Sequence, residues 1–432
     1  MKIIFEIIIL LFFFNSVLAK ANLQFYVESA LENNLELNAE RKNNKSIKQN
    51  INISRSEFLP SVSLSGDQTS IQSTNKTNQS GASLADSSLD TETKKISVDQ
   101  KIFQGFKGYN SLRRSELQVK QADLELKKIE QLTILKSVSA YFDLIYKTKN
   151  ESFNLSNVNL FERQVESDSA RLQKGEITLT DLAQSESSLA GANADLIKAQ
   201  TELQASKVNF ERVIRKKAPN EFTGEDKIVT INLPLTLEDA VILAKKSNPE
   251  LLIAVLDYNI AEKDLNIEKA KISPTASINF SKSENKDFSS TTDQQDQETV
   301  KATISWPIIK GGKNISSIKK ASLNKQRSLL LSEDTKNKVI ADTTNAWSKY
   351  QSSGSVLSAT KAQLKAAEIA NEGITLEYDS GNTRTTLEVI QSRSLLLDSR
   401  IASARAERDF IISQFELALQ LGILSPISIK PL

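Results

Sequence analysis

Cysteine and histidine are both missing from the 432 residues. Their absence excludes disulfides, thiol chemistry, an acylated cysteine anchor, Cys- or His-based zinc sites, Ser-His-Asp triads and Cys-His dyads. Charge of one sign is missing too: 55 basic residues oppose 53 acidic ones, interspersed along the chain, which leaves a net charge of +2 and no nucleic-acid footprint. Aromatic residues are 6% of the chain, too few for one large compact core in proportion to its length. Long apolar runs are lacking beyond the first residues, and even the run Ile7 to Phe14 is short beside the roughly 20 residues of a spanning helix. No cofactor or metal motif stands out, and no convergent acid, base and nucleophile set points to an enzyme.

The opening MKIIFEIIILLFFFNSVLA has the layout of a secretory signal: Lys2, an apolar core, then Val17 and Ala19 at the small-residue positions of a cleavage site. We expect a signal peptide over 1–19 and a mature chain from Lys20. Any membrane insertion of the mature chain must then use strands.

Proline is sparse, and its placement sets the layout, because inside a helix it costs about 3 kcal/mol. The eight prolines are Pro60, Pro219, Pro234, Pro249, Pro274, Pro307, Pro426 and Pro431, leaving 61–218 and 308–425 free of them. Both segments are rich in Leu, Ala, Lys, Glu, Gln and Ser with apolar residues three and four apart, as in Leu117, Leu124, Leu132, Leu135 and Val138, or Leu357, Leu364, Ala367 and Ile374. These are long amphipathic helices of the coiled-coil kind. One, over 108–174, is on the order of 100 Å long. Gly175 and Gly381 mark turns after which the periodicity resumes, so each segment ends in an antiparallel helical hairpin.

The chain repeats itself. A shift of 214 lays Asn34, Glu36, Leu37 and Pro60 on Asn248, Glu250, Leu251 and Pro274. A shift of 206 pairs Gly105 with Gly311, Lys107 with Lys313 and Tyr141 with Trp347; beyond the turns a shift of 207 lays TDLAQSESSL on LEVIQSRSLL. We read a first structural repeat over 20–218, a linker over 219–236, a second repeat over 237–422 and a tail over 423–432.

Ahead of each hairpin lie period-two segments with one apolar face: Val62 and Leu64; Ile96, Val98 and Ile102; Ala276, Ile278 and Phe280; Val300, Ala302, Ile304 and Trp306. The polar stretches between them, 66–94 and 282–298, read as solvated loops. Four strands cannot close a barrel in lipid. Assembly of several copies follows, and three would supply twelve strands. The predicted fold is therefore mainly α with a β membrane portion: long coiled-coil hairpins forming an α-barrel, plus four strands per protomer in a trimeric 12-stranded β-barrel. The alternative is a periplasmic coiled-coil adaptor or structural protein without a barrel, which leaves the strands without purpose.

In this order of elements the chain resembles the TolC outer-membrane efflux family over nearly its whole mature length. The best local match is Tyr378-Asp-Ser-Gly-Asn-Thr-Arg384-Thr-Thr-Leu-Glu388, with one extra residue after the glycine, and Gly175-Glu-Ile-Thr-Leu-Thr-Asp181 resembles the neighbouring tip. The resemblance implies a passive homotrimeric exit duct in the outer membrane for efflux or type I secretion. Its implied partners are outer-membrane lipid, a periplasmic adaptor of the membrane fusion type and an inner-membrane pump of RND or ABC type. It implies no cofactor and no nucleic acid. By position, Asp181 would accept hydrogen bonds from Tyr378 and Arg384 to close the periplasmic end, Glu388 would form a constriction ring, and Gln391 would stand where the family has a second acid. Three remaining features have simpler expectations. Gly311-Gly312-Lys313 lacks the spacing of a phosphate loop and reads as a strand-to-helix turn. Tyr141 and Trp347 read as packing knobs, and Trp306 as a membrane-interface aromatic.

Overall fold

The computed structural model describes residues 23–219, 231–289, 291–380 and 384–426. The expected signal peptide, most of the expected linker, the end of the tail and Gly381 lie outside these. In chain order the elements are α1 (Leu23–Asn33), α2 (Leu35–Ser56), β1 (Ser61–Ser73), β2 (Ser87–Phe103), α3 (Lys107–Gln173) and α4 (Leu179–Ile214). The same pattern follows as α5 (Leu237–Ser247), α6 (Pro249–Ala270), β3 (Thr275–Ser289), β4 (Thr292–Ser305), α7 (Lys313–Asp379) and α8 (Thr386–Gln420). Helices α3 and α7 are 67 residues each. No helix among the described residues is long and apolar enough to cross a membrane.

The described residues fall into two compact units, one drawn from Met1–Arg41, Leu124–Leu252 and Thr335–Leu432, the other from Lys42–Asp123 and Ile253–Asp334. Each unit takes segments from both sequence repeats.

In the second unit the four strands form one antiparallel meander in the order β1-β2-β3-β4, so β2 and β3 stitch the repeats together. Register aligns Val62 with Val98, Val98 with Phe280, and Phe280 with Val300; Leu64 meets Ile96, and Ala276 meets Ile304. Residues opposite one another share a face. One face is thus apolar, and it is bare: Leu64 is 81% exposed, Val300 73% and Ile304 80%. The other carries Ser61, Asp99, Asn279 and Lys301 in one row, with Asn279 Nδ2 donating to Asp99 Oδ1 at 2.7 Å.

The stretches expected to be loops are mostly strand. β1 runs on to Ser73, β2 begins at Ser87, and β3 and β4 are separated by only two residues. Serine, threonine, asparagine and glutamine pair in a ladder as readily as apolar residues once a neighbouring strand is in register. Polar cross-strand contacts add support, with Thr93 Oγ1 donating to Asn285 Oδ1 at 2.9 Å and Lys282 pairing with Glu298 at 3.1 Å. Low hydrophobicity was mistaken for lack of structure.

The first unit holds the aromatic core. Tyr141 is 1% exposed and lies 5.6 Å from the Tyr26 ring, which meets Phe210 at 5.1 Å. Trp347 is buried against Tyr350. Both packing knobs therefore sit where their periodicity placed them. Asn34 and Asn248, matched across the repeats, each start a helix: their Oδ1 atoms accept from Leu37 N and from Glu250 N. Asn248 also donates to the Gln420 carbonyl at 2.8 Å, tying the α5–α6 junction to the end of α8. Pro249 takes the first helical position, where its missing N–H has no cost.

The long hairpins meet along seams of small and polar residues. Toward the tips the buried positions include Asn150, Asn154, Asn157, Phe161, Gln164 and Asp168 on α3, and Val389, Ser392, Leu396, Ser399, Ser403 and Ala406 on α8. Alternating steps of three and four mark a 3.5-residue repeat, the signature of a coiled coil.

Gly422 closes α8 at φ +69°, and a Cβ there would lie 2.2 Å from the Ser247 carbonyl oxygen. Gly422→Ala is expected to cost about 2 kcal/mol or more through strain and clash. Thermal melting of the purified protein should show a lowered midpoint, whereas Gly191→Ala, in open space within a helix, should not.

Candidate functional site

The helices that follow the two hairpin turns, α4 and α8, open with one design. Helix α3 ends with Gly175 at φ +72°, its N–H donating to Leu172 O at 2.9 Å and Glu176 N to Arg171 O at 2.9 Å. Helix α4 then opens with a reciprocal cap: Thr178 N donates to Asp181 Oδ2 at 2.9 Å, and Asp181 N to Thr178 Oγ1 at 3.3 Å. Helix α8 repeats it. Thr385 N donates to Glu388 Oε2 at 2.8 Å, and Glu388 N to Thr385 Oγ1 at 3.3 Å. Thr178 and Thr385, like Asp181 and Glu388, are 207 residues apart, the offset read from the sequence beyond the turns.

These caps give the acids partners within the chain. Within the chain Asp181 takes neither Tyr378 nor Arg384; its carboxylate is engaged by Thr178. Arg384 instead bridges Glu377 at 2.6 Å and Glu388 at 3.0 Å. The side chain and then the backbone N–H of Thr178 hold the Asp181 carboxyl below its ordinary value. Glu388 is held low by the Thr385 backbone N–H first, then by Arg384 and the Thr385 hydroxyl. A Thr-x-x-Asp or Thr-x-x-Glu run is a helix-start signature, and it was present in both tips to be read.

Tyr378 goes elsewhere. Its hydroxyl is buried and donates to Asp168 Oδ1 at 2.7 Å. Asp168, fully buried on α3, also receives Ser185 Oγ at 2.5 Å and Gln164 Nε2 at 3.0 Å on each oxygen. The Tyr378 oxygen lies 3.1 Å from the Thr386 hydroxyl. One carboxylate thus joins α3, α4 and α7 directly, and α8 through Tyr378. Burial, with Asp168 beside it, pushes the Tyr378 hydroxyl up in pKa, so it stays a proton donor. The Arg171 guanidinium packs over the Tyr378 ring, 4.5 Å from its centroid, and reaches Glu176 at 3.3 Å. Further along α8, half-buried Arg393 donates to the Leu160 carbonyl at 3.3 Å, its pKa lowered by desolvation.

Asp168, Gln164, Ser185 and Thr386 were not anticipated. Their signal was faint but real: Asp168 lies on the α3 seam at 3.5-residue spacing, where an acid is out of place unless it is satisfied. Gln391 is exposed on α8. In the other unit Trp306 is 64% exposed, with Nε1 donating to the Ile272 carbonyl at 3.1 Å.

Comparison with known proteins identifies the architecture. The model of the family described as outer membrane efflux protein matches residues 26–214 and 241–423. The outer membrane efflux protein BepC of Brucella suis is 26% identical over 390 residues, covering 90% of this chain and 82% of that protein. The outer membrane protein TolC of Vibrio cholerae is 22% identical, covering 94% and 91%. The crystal structure of the Campylobacter jejuni CmeC outer membrane channel shares the fold with a TM-score of 0.81 at 14% identity, over 93% of this chain and 85% of that one.

Two expectations separate the buried node from the caps. Asp168→Ala leaves three donors without an acceptor and should cost about 3 kcal/mol locally, seen as faster hydrogen exchange at the end of α7 and the start of α8. Acid should weaken the caps. Their carboxyl pKa values are lowered on folding, so their contribution is complete above the ordinary carboxylate range and disappears as pH falls through the lowered values. Exchange in the first turns of α4 and α8 should therefore rise between about pH 6 and about pH 3, after correction for intrinsic rates.

Proposed function

The chain belongs to the outer membrane efflux protein family, and from that premise we propose that three copies close one duct through the outer membrane, shut at its periplasmic end by the hairpin tips. The observation that carries this is the sheet. Its apolar face is exposed, and both outer edges, β1 and β4, have no strand partner among the described residues. A bilayer tolerates such a face but no open edge. Within β3 and β4 the apolar positions run over 276–280 and 300–304, and Ile272, Trp306 and Ile308 carry the exposed apolar band past the strand ends. Three copies give twelve strands.

The node at Asp168 supports a gate. It binds the end of α7 to the outer hairpin of the same protomer, so the second hairpin cannot swing without breaking it. A buried carboxylate with neutral donors is strong enough to hold a closed state, and weak enough to be pulled open by a partner, since each such bond is worth about 1.5–3 kcal/mol net. Asp181 and Arg384, paired within the chain at the described tips, remain near enough to the chain surface to bond neighbouring copies as secondary links. Glu388 contributes three partly neutralised carboxylates to the mouth, and Gln391 adds no charge. The duct is passive: a periplasmic adaptor and an inner-membrane pump open it and supply the energy for efflux or type I secretion.

Planar-bilayer recording tests the reading. The unmodified protein should insert as a small, largely closed, mildly cation-selective channel. Asp168→Ala combined with Tyr378→Phe should raise mean conductance several-fold, and Glu388→Gln should reduce cation preference. Failure to insert, or strong anion selectivity, contradicts the duct; an unchanged conductance in the double variant contradicts the gate alone.

A further inference from the structure

The near-neutral total hides a local asymmetry in the sheet unit. Between Asp99 and Glu116 the chain has four cations and no acid, and between Glu298 and Glu333 it has seven cations and no acid. These are equivalent places. A shift of 206 lays Lys107, Arg113 and Arg114 on Lys313, Lys319 and Lys320. Each stretch begins a long helix, α3 or α7, with no acidic residue in its first turn. Cations at the positive end of a helix dipole are unfavourable by themselves, so helix stability does not account for them.

The two sites differ in what their cations do. Arg113 pairs with Glu116 at 2.8 Å and Arg114 with Asp264 at 2.9 Å. In the second repeat Lys310, Lys313, Lys319 and Lys320 are exposed and have no carboxylate partner among the described residues. Lys310 directly follows Trp306, Ile308 and Ile309, which are 64%, 78% and 86% exposed. Between them and the helix, Gly311 and Gly312 turn the chain at φ +53° and +77°, with nothing within 4 Å of where either Cβ would stand. Reading along the chain, an uncovered apolar step is followed by Lys310, an open glycine turn and three further unpaired ammonium groups. That is the profile of a hydrocarbon-to-headgroup boundary.

We infer that the β4-to-α7 junction is an anionic phospholipid site facing the periplasmic leaflet, in which Lys310, Lys313, Lys319 and Lys320 hold the headgroup phosphate while Trp306 and Ile308 lie along the acyl chains. The site rests on the membrane reading above and deepens it by naming the lipid class. Charge and apolar exposure together favour lipid as the occupant, because a bare apolar step beside unpaired cations matches acyl chains beside an anionic headgroup.

Native mass spectrometry tests this on the full assembly extracted in mild detergent and mixed with equal phosphatidylglycerol and phosphatidylcholine. The unmodified protein should retain phosphatidylglycerol in preference by roughly fivefold or more, and high salt should reduce the preference. The variant combining Lys310→Gln, Lys313→Gln, Lys319→Gln and Lys320→Gln should retain the two lipids equally. Lys361→Gln with Lys365→Gln, farther along α7, should keep the preference. No preference in the unmodified protein, loss of preference with the distant pair, or displacement of the lipid by excess inorganic phosphate would each overturn the site. Dissociation of the assembly in the quadruple variant would instead assign these lysines to contacts between copies and also overturn it. Bilayer insertion, recorded in parallel, keeps the outcome separate from the duct reading: a channel that inserts without lipid preference rejects only the site.

Discussion

An unpaired strand edge in hydrocarbon is the constraint on which the rest of the molecule depends. Every backbone N–H and C=O placed in lipid needs a partner, and a four-stranded sheet with an apolar outer face leaves two rows without one. The sequence meets this by putting only a short apolar band on one face of each strand. Ser61, Asp99, Asn279 and Lys301 line the opposite face in one row, as suits the wall of a water-filled passage. Beyond the band the strands are mainly polar, with Ile71 opposite Leu89 and Phe288 as exceptions, and they continue as paired hairpins.

The helical part follows a related economy. Its seams rely on Ser, Ala and Asn more than on large apolar residues, so close approach and hydrogen bonding replace part of the hydrophobic burial that an ordinary core supplies. Such a seam specifies register weakly unless polar groups fix it. Asp168 does so at the tips, where a single carboxylate satisfies three donors drawn from three helices. Asn248 does so at the other end of α8 by capping α6 and holding the Gln420 carbonyl. Both compact units draw on both repeats.

Long-range order was legible in the sequence wherever covalent geometry enforces it. Prolines set off the helical segments and glycines bounded the first long helix, so α3 was read as 108–174 and spans Lys107–Gln173. The repeat offsets placed Tyr141 and Trp347 in equivalent packing positions, and the apolar alternation located the membrane face. The strand extensions were missed because a ladder of Ser, Thr and Gln has no hydrophobic contrast to detect. The caps were missed for a different reason: Asp181 and Glu388 were weighed by position in a family pattern, while partners within the chain stand three residues before them, at Thr178 and Thr385. Asp168 went unnoticed because burial of an isolated acid depends on Ser185 and Tyr378, which reach it only through the tertiary fold.

The lack of native cysteine allows the closure between copies to be measured directly. Ser63→Cys on β1 is combined, one at a time, with Thr299→Cys, Lys301→Cys or Thr303→Cys on β4, and each protein is oxidised in outer-membrane vesicles. Closure predicts that one of these pairings gives covalent species of two and three chains that stop at three and revert on reduction. Only uncrosslinked chains at every pairing, or a ladder extending beyond three, would contradict it.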